Sequence, residues 1–255
     1  MSRYLHTLLK AIDLQVRSGL ANPEIKNLST DSREIEKGDL FLGLDGEKVD
    51  GGNFWAKAIE RGACAAIISK KASLLNPPTN EDPVVILPEP VSLFMGKLAA
   101  DFWGKPSSEI CLIGITGTNG KTTTSFLIEF LTTSLGHPSA LFGTLINRWP
   151  NHEETSKYTT TFAVPLQAKL RKAVQAGVEY GAMEVSSHAL SQNRVAGCDF
   201  NGAIFTNLSR DHLDYHDSME SYFEAKASLF RSHLIEDDGP RSVINIDDKW
   251  GAKLA

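Results

Sequence analysis

Gly114-Ile115-Thr116-Gly117-Thr118-Asn119-Gly120-Lys121-Thr122-Thr123-Thr124 decides the reading of this chain. An apolar run, Ile110-Cys111-Leu112-Ile113, precedes it, and Ser125-Phe126-Leu127-Ile128-Glu129-Phe130-Leu131 follows with helical periodicity. Strand, glycine-rich turn, then Lys-Thr at a helix N-terminus is the layout that cradles the phosphates of a nucleotide. The glycines let backbone N–H groups approach phosphate oxygens, Lys121 adds a point charge, and Thr122 can hold Mg²⁺. The common P-loop spelling asks for glycine at 115. Ile115 stands there, so Gly117 and Gly120 make a shorter loop. A β–α turn without a ligand is the bland alternative, and Gly-Lys-Thr-Thr-Thr on the strand-to-helix step weighs against it.

Outward from this loop, short β runs alternate with helical patterns, which predicts an α/β fold. Strands are expected at 39–44, 64–68 and 84–87 and helices at 54–61 and 91–103, with a short amphipathic helix at the start, 1–10. Pro88-Glu89-Pro90 punctuates the chain and marks the expected boundary. This gives a small N-terminal domain over 1–88, a linker helix over 89–106 and a central domain over 107–255. In the latter, strands are expected at 139–142, 181–185, 202–206 and 242–246, apolar runs of the buried parallel kind, with a helix at 166–176. The central domain is expected to be a mostly parallel, P-loop-type sheet with flanking helices.

The chain has 255 residues, 42% of them apolar, and a net charge of −5. The charge argues against a broad nucleic-acid-binding face. Without a secretory h-region or a membrane-spanning apolar run, a cytoplasmic protein is expected. Cys64, Cys111 and Cys198 sit singly and are expected to be buried thiols of a reducing compartment.

Two further clusters carry chemistry. Glu184 ends an apolar strand and precedes Val185-Ser186-Ser187-His188-Ala189-Leu190. Ligands collect at the carboxyl ends of strands in doubly wound sheets, so Glu184 can hold the Mg²⁺ that accompanies nucleotide phosphates. A helix N-terminal carboxylate with Ser186 as cap is the structural alternative. Thr206-Asn207-Leu208-Ser209-Arg210-Asp211-His212-Leu213-Asp214-Tyr215-His216-Asp217 also follows a strand. The spacing of His212 and His216 would suit zinc on a helix, but no third ligand is evident. Beside a Mg-nucleotide site, His212 reads better as a ligand to a second hard cation.

Taken together these strings resemble the Mur ligases, in the branch that forms the UDP-N-acetylmuramoyl tripeptide. The matching pieces include Thr30-Asp31-Ser32-Arg33, Gly38-Asp39-Leu40-Phe41, Asp50-Gly51, residues 117–124 and Thr159-Thr160. Met183-Glu184-Val185-Ser186-Ser187-His188, Gln192, Arg194, residues 205–216, Glu224-Ala225-Lys226 and Asn245-Ile246-Asp247-Asp248 complete them. The resemblance implies an ATP-dependent amide ligase of peptidoglycan synthesis, and hence of cell shape and division. Such an enzyme activates the carboxylate of UDP-MurNAc-L-Ala-D-Glu as an acyl phosphate, which the amine of a third amino acid attacks. Meso-diaminopimelate is expected over L-lysine.

By position, the resemblance gives ATP to Gly117, Thr118, Asn119, Gly120, Lys121, Thr122 and Thr123. Thr122 and Glu184 would hold one Mg²⁺, and His212 with a carbamylated Lys226 a second. Lys121, Glu184, His212 and Lys226 form the catalytic set. Thr30, Ser32, Glu47, Lys48 and Val49 would receive the uridine nucleotide, and Thr159, Thr160, Ser186, Gln192 and Arg194 the rest of that substrate. The family pattern also implies a longer enzyme, monomeric at full length, whose third domain selects the amino acid. The chain is therefore expected to be an N-terminal part, inactive as a ligase alone. A folylpolyglutamate-synthetase-like ligase and a non-catalytic nucleotide- or UDP-sugar-binding module are the competing readings. The Asp-Ser-Arg and Ser-Ser-His-Ala-Leu strings speak against the former.

Overall fold

The computed structural model describes residues 3–44, 46, 49–235 and 241–255. It divides into two compact units, 1–104 and 105–255. In the first, α1 (Leu5–Ala11) precedes β1 (Leu28–Ser29) and β2 (Leu40–Leu42). There follow α2 (Trp55–Glu60), β3 (Ala65–Ser69), α3 (Lys70–Leu75), β4 (Val84–Leu87) and α4 (Val91–Phe102). The four strands pair in parallel in the order β1-β2-β3-β4, with Leu40 opposite Ala65 and Ile67 opposite Val85. Every residue of β3 is buried, as its Ala-Ala-Ile-Ile-Ser run requires of a strand covered on both faces. Phe41, Trp55, Ala58, Ile68 and Val84 form its core.

The helix expected as a linker belongs to this first unit. Met95, Leu98, Ala99 and Phe102 of α4 are buried, and α4 packs against α1. A helix with so much apolar surface joins the body that covers it, so the division falls at 104/105 rather than at Pro88-Glu89-Pro90.

The second unit is a seven-stranded sheet in the order β11-β10-β5-β9-β6-β7-β8. Its strands are β5 (Cys111–Thr116), β6 (Ser139–Phe142), β7 (Ile146–Trp149), β8 (His152–Thr155), β9 (Tyr180–Glu184), β10 (Gly202–Phe205) and β11 (Ser242–Ile244). The five from β11 to β6 run parallel, and β7 and β8 add an antiparallel hairpin that periodicity had not announced. The helices are α5 (Lys121–Ser134), α6 (Ala163–Gln175), α7 (Ser187–Ser191), α8 (Met219–Ser232) and α9 (Lys249–Leu254). Alternation along β5 sends Leu112 into one core, with Leu170 and Leu229, and Ile113 and Ile115 into another, with Phe126 and Ile128 of α5. Parallel pairing brings the carboxyl ends of β5, β9, β6 and β10 to one edge, with Ile115 opposite Glu184 and Thr116 opposite Phe205.

Of the cysteines, only Cys198 is buried; Cys64 and Cys111 are partly exposed, so the expectation of three buried thiols holds for one.

Candidate functional site

The loop between β5 and α5 turns on Gly117 (φ 144°) and Gly120 (φ 84°), both in the region that favours glycine. A Cβ on Gly117 would lie 1.9 Å from Oγ1 of Thr206, so no larger residue fits there. The chain after β10 braces the loop. Thr206 donates its hydroxyl to the Asn119 carbonyl at 2.7 Å, and the Asn119 backbone N–H donates to Oδ1 of Asn207 at 3.1 Å. Asn245, after β11, donates to the Thr206 carbonyl at 2.8 Å. Sequence reading named Gly117, Thr118, Asn119, Gly120, Lys121, Thr122 and Thr123, and missed this bracing pair. The signal for it was the position of Thr206-Asn207 directly after a strand.

Lys121 opens α5 and folds back, its ammonium donating to the carbonyls of Gly117 and Thr118 at 2.9 Å each. Burial lowers its pKa, while Glu184 and Asp211 pull it back up. Lys226, on α8, donates to the same Gly117 carbonyl at 2.8 Å and lies 4.6 Å from the ring centre of Tyr222. It is 1% exposed, and burial first, then the neighbouring Lys121, pushes its pKa well below that of an ordinary lysine. Tyr222 shares a hydrogen bond with the Thr118 hydroxyl at 3.2 Å, so α8 supports the loop twice.

Glu184 ends β9 and is fully buried. Its Oε2 accepts from the hydroxyls of Thr122 and Thr144 at 2.9 Å each, and its Oε1 accepts from the Thr144 backbone N–H at 3.0 Å. Gly143 makes room, since a Cβ there would meet Oε1 at 2.3 Å. Thr144 was not singled out from the sequence, although Gly143-Thr144 also follows a strand.

Thr160 donates its hydroxyl to the Glu184 carbonyl at 2.8 Å and accepts from the Ser186 N–H at 3.1 Å. Ser186 caps α7. Arg194 grips Oε1 of Gln192 from two nitrogens, at 2.9 and 2.6 Å, and donates to the Thr160 carbonyl at 3.1 Å. Phe162 and Tyr158 face its guanidinium at 4.2 and 5.4 Å. The hydroxyls of Thr159 and Thr144 are 3.2 Å apart. The structure thus joins Thr122, Glu184, Thr159, Thr160, Ser186, Gln192 and Arg194 in one network.

The segment 211–217 is a turn rather than a helix, with His212 at φ 50°. The His212 ring packs edge-on to His188 at 4.8 Å, and its Nε2 is 3.6 Å from Asp211. His216 is buried against Tyr222, and its Nε2 has no partner. Burial lowers the pKa of both His188 and His216. Among the described residues no group of three His, Cys, Asp or Glu side chains is arranged to hold a metal. The two histidines do not share a helix, which the zinc reading of their spacing had required. The hydroxyl of Thr122 and the carboxylate of Glu184 are hard oxygen donors and fit one Mg²⁺. His212 and Lys226 fit a second only if the amine gains oxygens.

In the first unit, Thr30, Ser32 and Val49 line a cavity of about 550 Å³ together with Arg33, Lys57 and Arg61. Asp31 clasps Arg33 at 2.9 and 2.6 Å, and that bond holds its carboxyl down at about 2. Glu47 and Lys48 lie outside the described residues.

Residues 115–255 match the family model described as the Mur ligase middle domain, and residues 24–103 match that described as the Mur ligase family, catalytic domain. The chain is 99% identical over its whole length to the UDP-N-acetylmuramoyl-L-alanyl-D-glutamate–2,6-diaminopimelate ligase of Prochlorococcus marinus strain NATL2A, of which it covers 50%. The protein of the same name from Synechococcus sp. WH7803 is 54% identical over the whole chain, which covers 51% of it. The chain therefore spans about half the length of the curated relatives it matches. A solved structure of a ligase with that name aligns over the whole chain and 49% of its own, at 30% identity and a TM-score of 0.80. A MurF structure from Acinetobacter baumannii, 20% identical with a TM-score of 0.66, covers the whole chain and 51% of its own and speaks to the fold alone.

Proposed function

The chain belongs to the Mur ligase family, and on that premise we propose that it carries the nucleotide- and substrate-holding parts of an ATP-dependent ligase. This enzyme adds meso-diaminopimelate to UDP-MurNAc-L-Ala-D-Glu in cytoplasmic peptidoglycan synthesis. One observation carries the reading. The buried Glu184 carboxylate is hydrogen-bonded to Thr122, the second residue of the helix that leaves the Gly117–Gly120 loop, and the same strand end is tied to Arg194 through Thr160. The choice of diaminopimelate rests on the names of the relatives above.

Each residue then has a physical task. Residues 117–123 cradle the phosphates with backbone N–H groups at the start of α5. Lys121 sits beside that cradle, where its charge meets an anionic group. Thr122 and Glu184 hold Mg²⁺, which when bound neutralises charge on the transferring phosphoryl group. Arg194, fixed by Gln192 and Thr160, places a positive charge for an anionic part of the UDP-substrate, and Thr159, Thr160 and Ser186 supply hydroxyls beside it. In the first unit, Thr30, Ser32 and Val49 receive the uridine nucleotide, and the rim of Arg33, Lys57 and Arg61 suits a diphosphate. Glu47 and Lys48 would extend that surface.

Lys226 reacts with CO₂ in this scheme. Its amine, whose neutral form burial favours, forms an N–C bond and releases one proton, and the resulting carbamate supplies the oxygens that a cation beside His212 needs. Intact mass measured gently in bicarbonate should exceed the unmodified mass by one CO₂, and the increment should vanish in Lys226→Arg.

The substrate assignment is tested by titrating the chain with UDP-MurNAc-L-Ala-D-Glu and with UDP-MurNAc-L-Ala. Tighter binding of the dipeptide form, lost in Arg194→Ala while ADP binding persists, supports it. Equal binding of the two ligands would overturn it.

A further inference from the structure

Thr144 grips Glu184 at two points, the backbone N–H on Oε1 at 3.0 Å and the hydroxyl on Oε2 at 2.9 Å. No other residue among those described donates to both oxygens of this carboxylate, and Gly143 before it is required for the approach. The Thr144 hydroxyl has a second neighbour, the Thr159 hydroxyl at 3.2 Å. A hydroxyl has one proton, and of its two neighbours the carboxylate is the stronger acceptor and can donate nothing. The bond to the carboxylate is therefore the one that matters for Glu184, with Thr159 only a neighbour of the same hydroxyl. The Thr144 hydroxyl and backbone N–H together fix the plane of the Glu184 carboxylate.

We propose that Thr144 is the positioning residue for the metal-holding carboxylate. It sets the direction in which Glu184 offers its oxygens, and it lies outside the phosphate loop. Partners of this kind, one step behind a ligand, change metal affinity by roughly 10–100-fold when removed. The inference rests on the reading of Glu184 as a Mg²⁺ ligand given above. Thr144 itself is exposed at the strand end, so its substitution opens no cavity in the apolar core.

The test is calorimetric titration of the chain with ADP, once with MgCl₂ and once with EDTA. Thr144→Val keeps the backbone N–H and the side-chain shape but removes the hydroxyl; Thr144→Ser keeps the hydroxyl. The expected result is that Thr144→Val loses about tenfold or more of the Mg²⁺-dependent gain in affinity. Its affinity in EDTA should stay at the wild-type value, and Thr144→Ser should retain the gain. A full Mg²⁺ gain in Thr144→Val, with wild type also showing it, overturns the inference while leaving the Glu184 reading intact. An equal loss in Val and Ser variants likewise overturns it, since the hydroxyl would then not matter. Absence of any Mg²⁺ gain in wild type defeats the Glu184 reading, and this inference falls with it.

Discussion

Arg194 illustrates how one side chain is made ready for an anion before any ligand arrives. Gln192 and the Thr160 carbonyl take its donors, and the rings of Phe162 and Tyr158 cover its faces. Replacing Phe162 by Leu removes the nearer ring and should weaken UDP-dipeptide binding by about 1 kcal/mol, roughly fivefold. ADP binding should not change, and titration with each ligand separates the two. Cys198 gives a second prediction. It is buried beside Gln167 at 3.2 Å, and burial pushes its thiol up to about 12. At pH 8 a maleimide should label Cys64 and Cys111 and spare Cys198, which should react only after denaturation; rapid labelling of Cys198 in the folded chain would contradict this burial. At this scale the sequence exposed residues whose chemistry stands out, such as Lys121, Glu184 and Arg194. It hid Thr144 and Tyr222, whose tasks come from where strand ends and α8 meet.

The loop joining β5 to α5 is the element that depends most on backbone shape. Gly117 combines φ 144° with a Cβ position 1.9 Å from Thr206. Gly117→Ala should cost about 1–3 kcal/mol in backbone strain alone and abolish measurable ADP binding. Denaturant unfolding and titration together check both parts. Helix α8 offers a milder perturbation. Ser218 accepts from the Ser221 N–H at 3.1 Å in a capping box, and Ser218→Ala should cost roughly 0.5–2 kcal/mol. Because α8 carries Tyr222 and Lys226 beneath the loop, ADP affinity should fall with it. Largely buried strands such as β3, β5 and β9 were legible because their apolar runs leave few other readings. The β7–β8 hairpin was not legible, since Ile146-Asn147-Arg148-Trp149 is too short and polar, and its partner His152-Glu153-Glu154-Thr155 is largely exposed. Helix α8 was hidden by a mixed sequence, and its capping box of Ser218 and Ser221 emerges only from the folded geometry.

At the scale of the molecule, two units each close their own core, and every side chain argued to hold ATP and Mg²⁺ comes from the second. The prolines at 88–90 misdirected the boundary because a punctuated chain need not change body there; α4 carries the apolar face that decided its allegiance. Within the second unit the geometry adds how Thr122, Thr160, Glu184 and Arg194 lean on one another. The central claim is that Gly117 to Thr122 and Glu184 form a Mg-nucleotide site. Its most direct test is calorimetry of the chain with ATP, in Mg²⁺ and in EDTA, for wild type and Glu184→Gln. The account predicts that Mg²⁺ tightens binding to wild type by about tenfold or more, at least what a residue one step behind a ligand contributes, and has little effect on Glu184→Gln. No ATP binding by wild type, or an undiminished Mg²⁺ effect in Glu184→Gln, would contradict it.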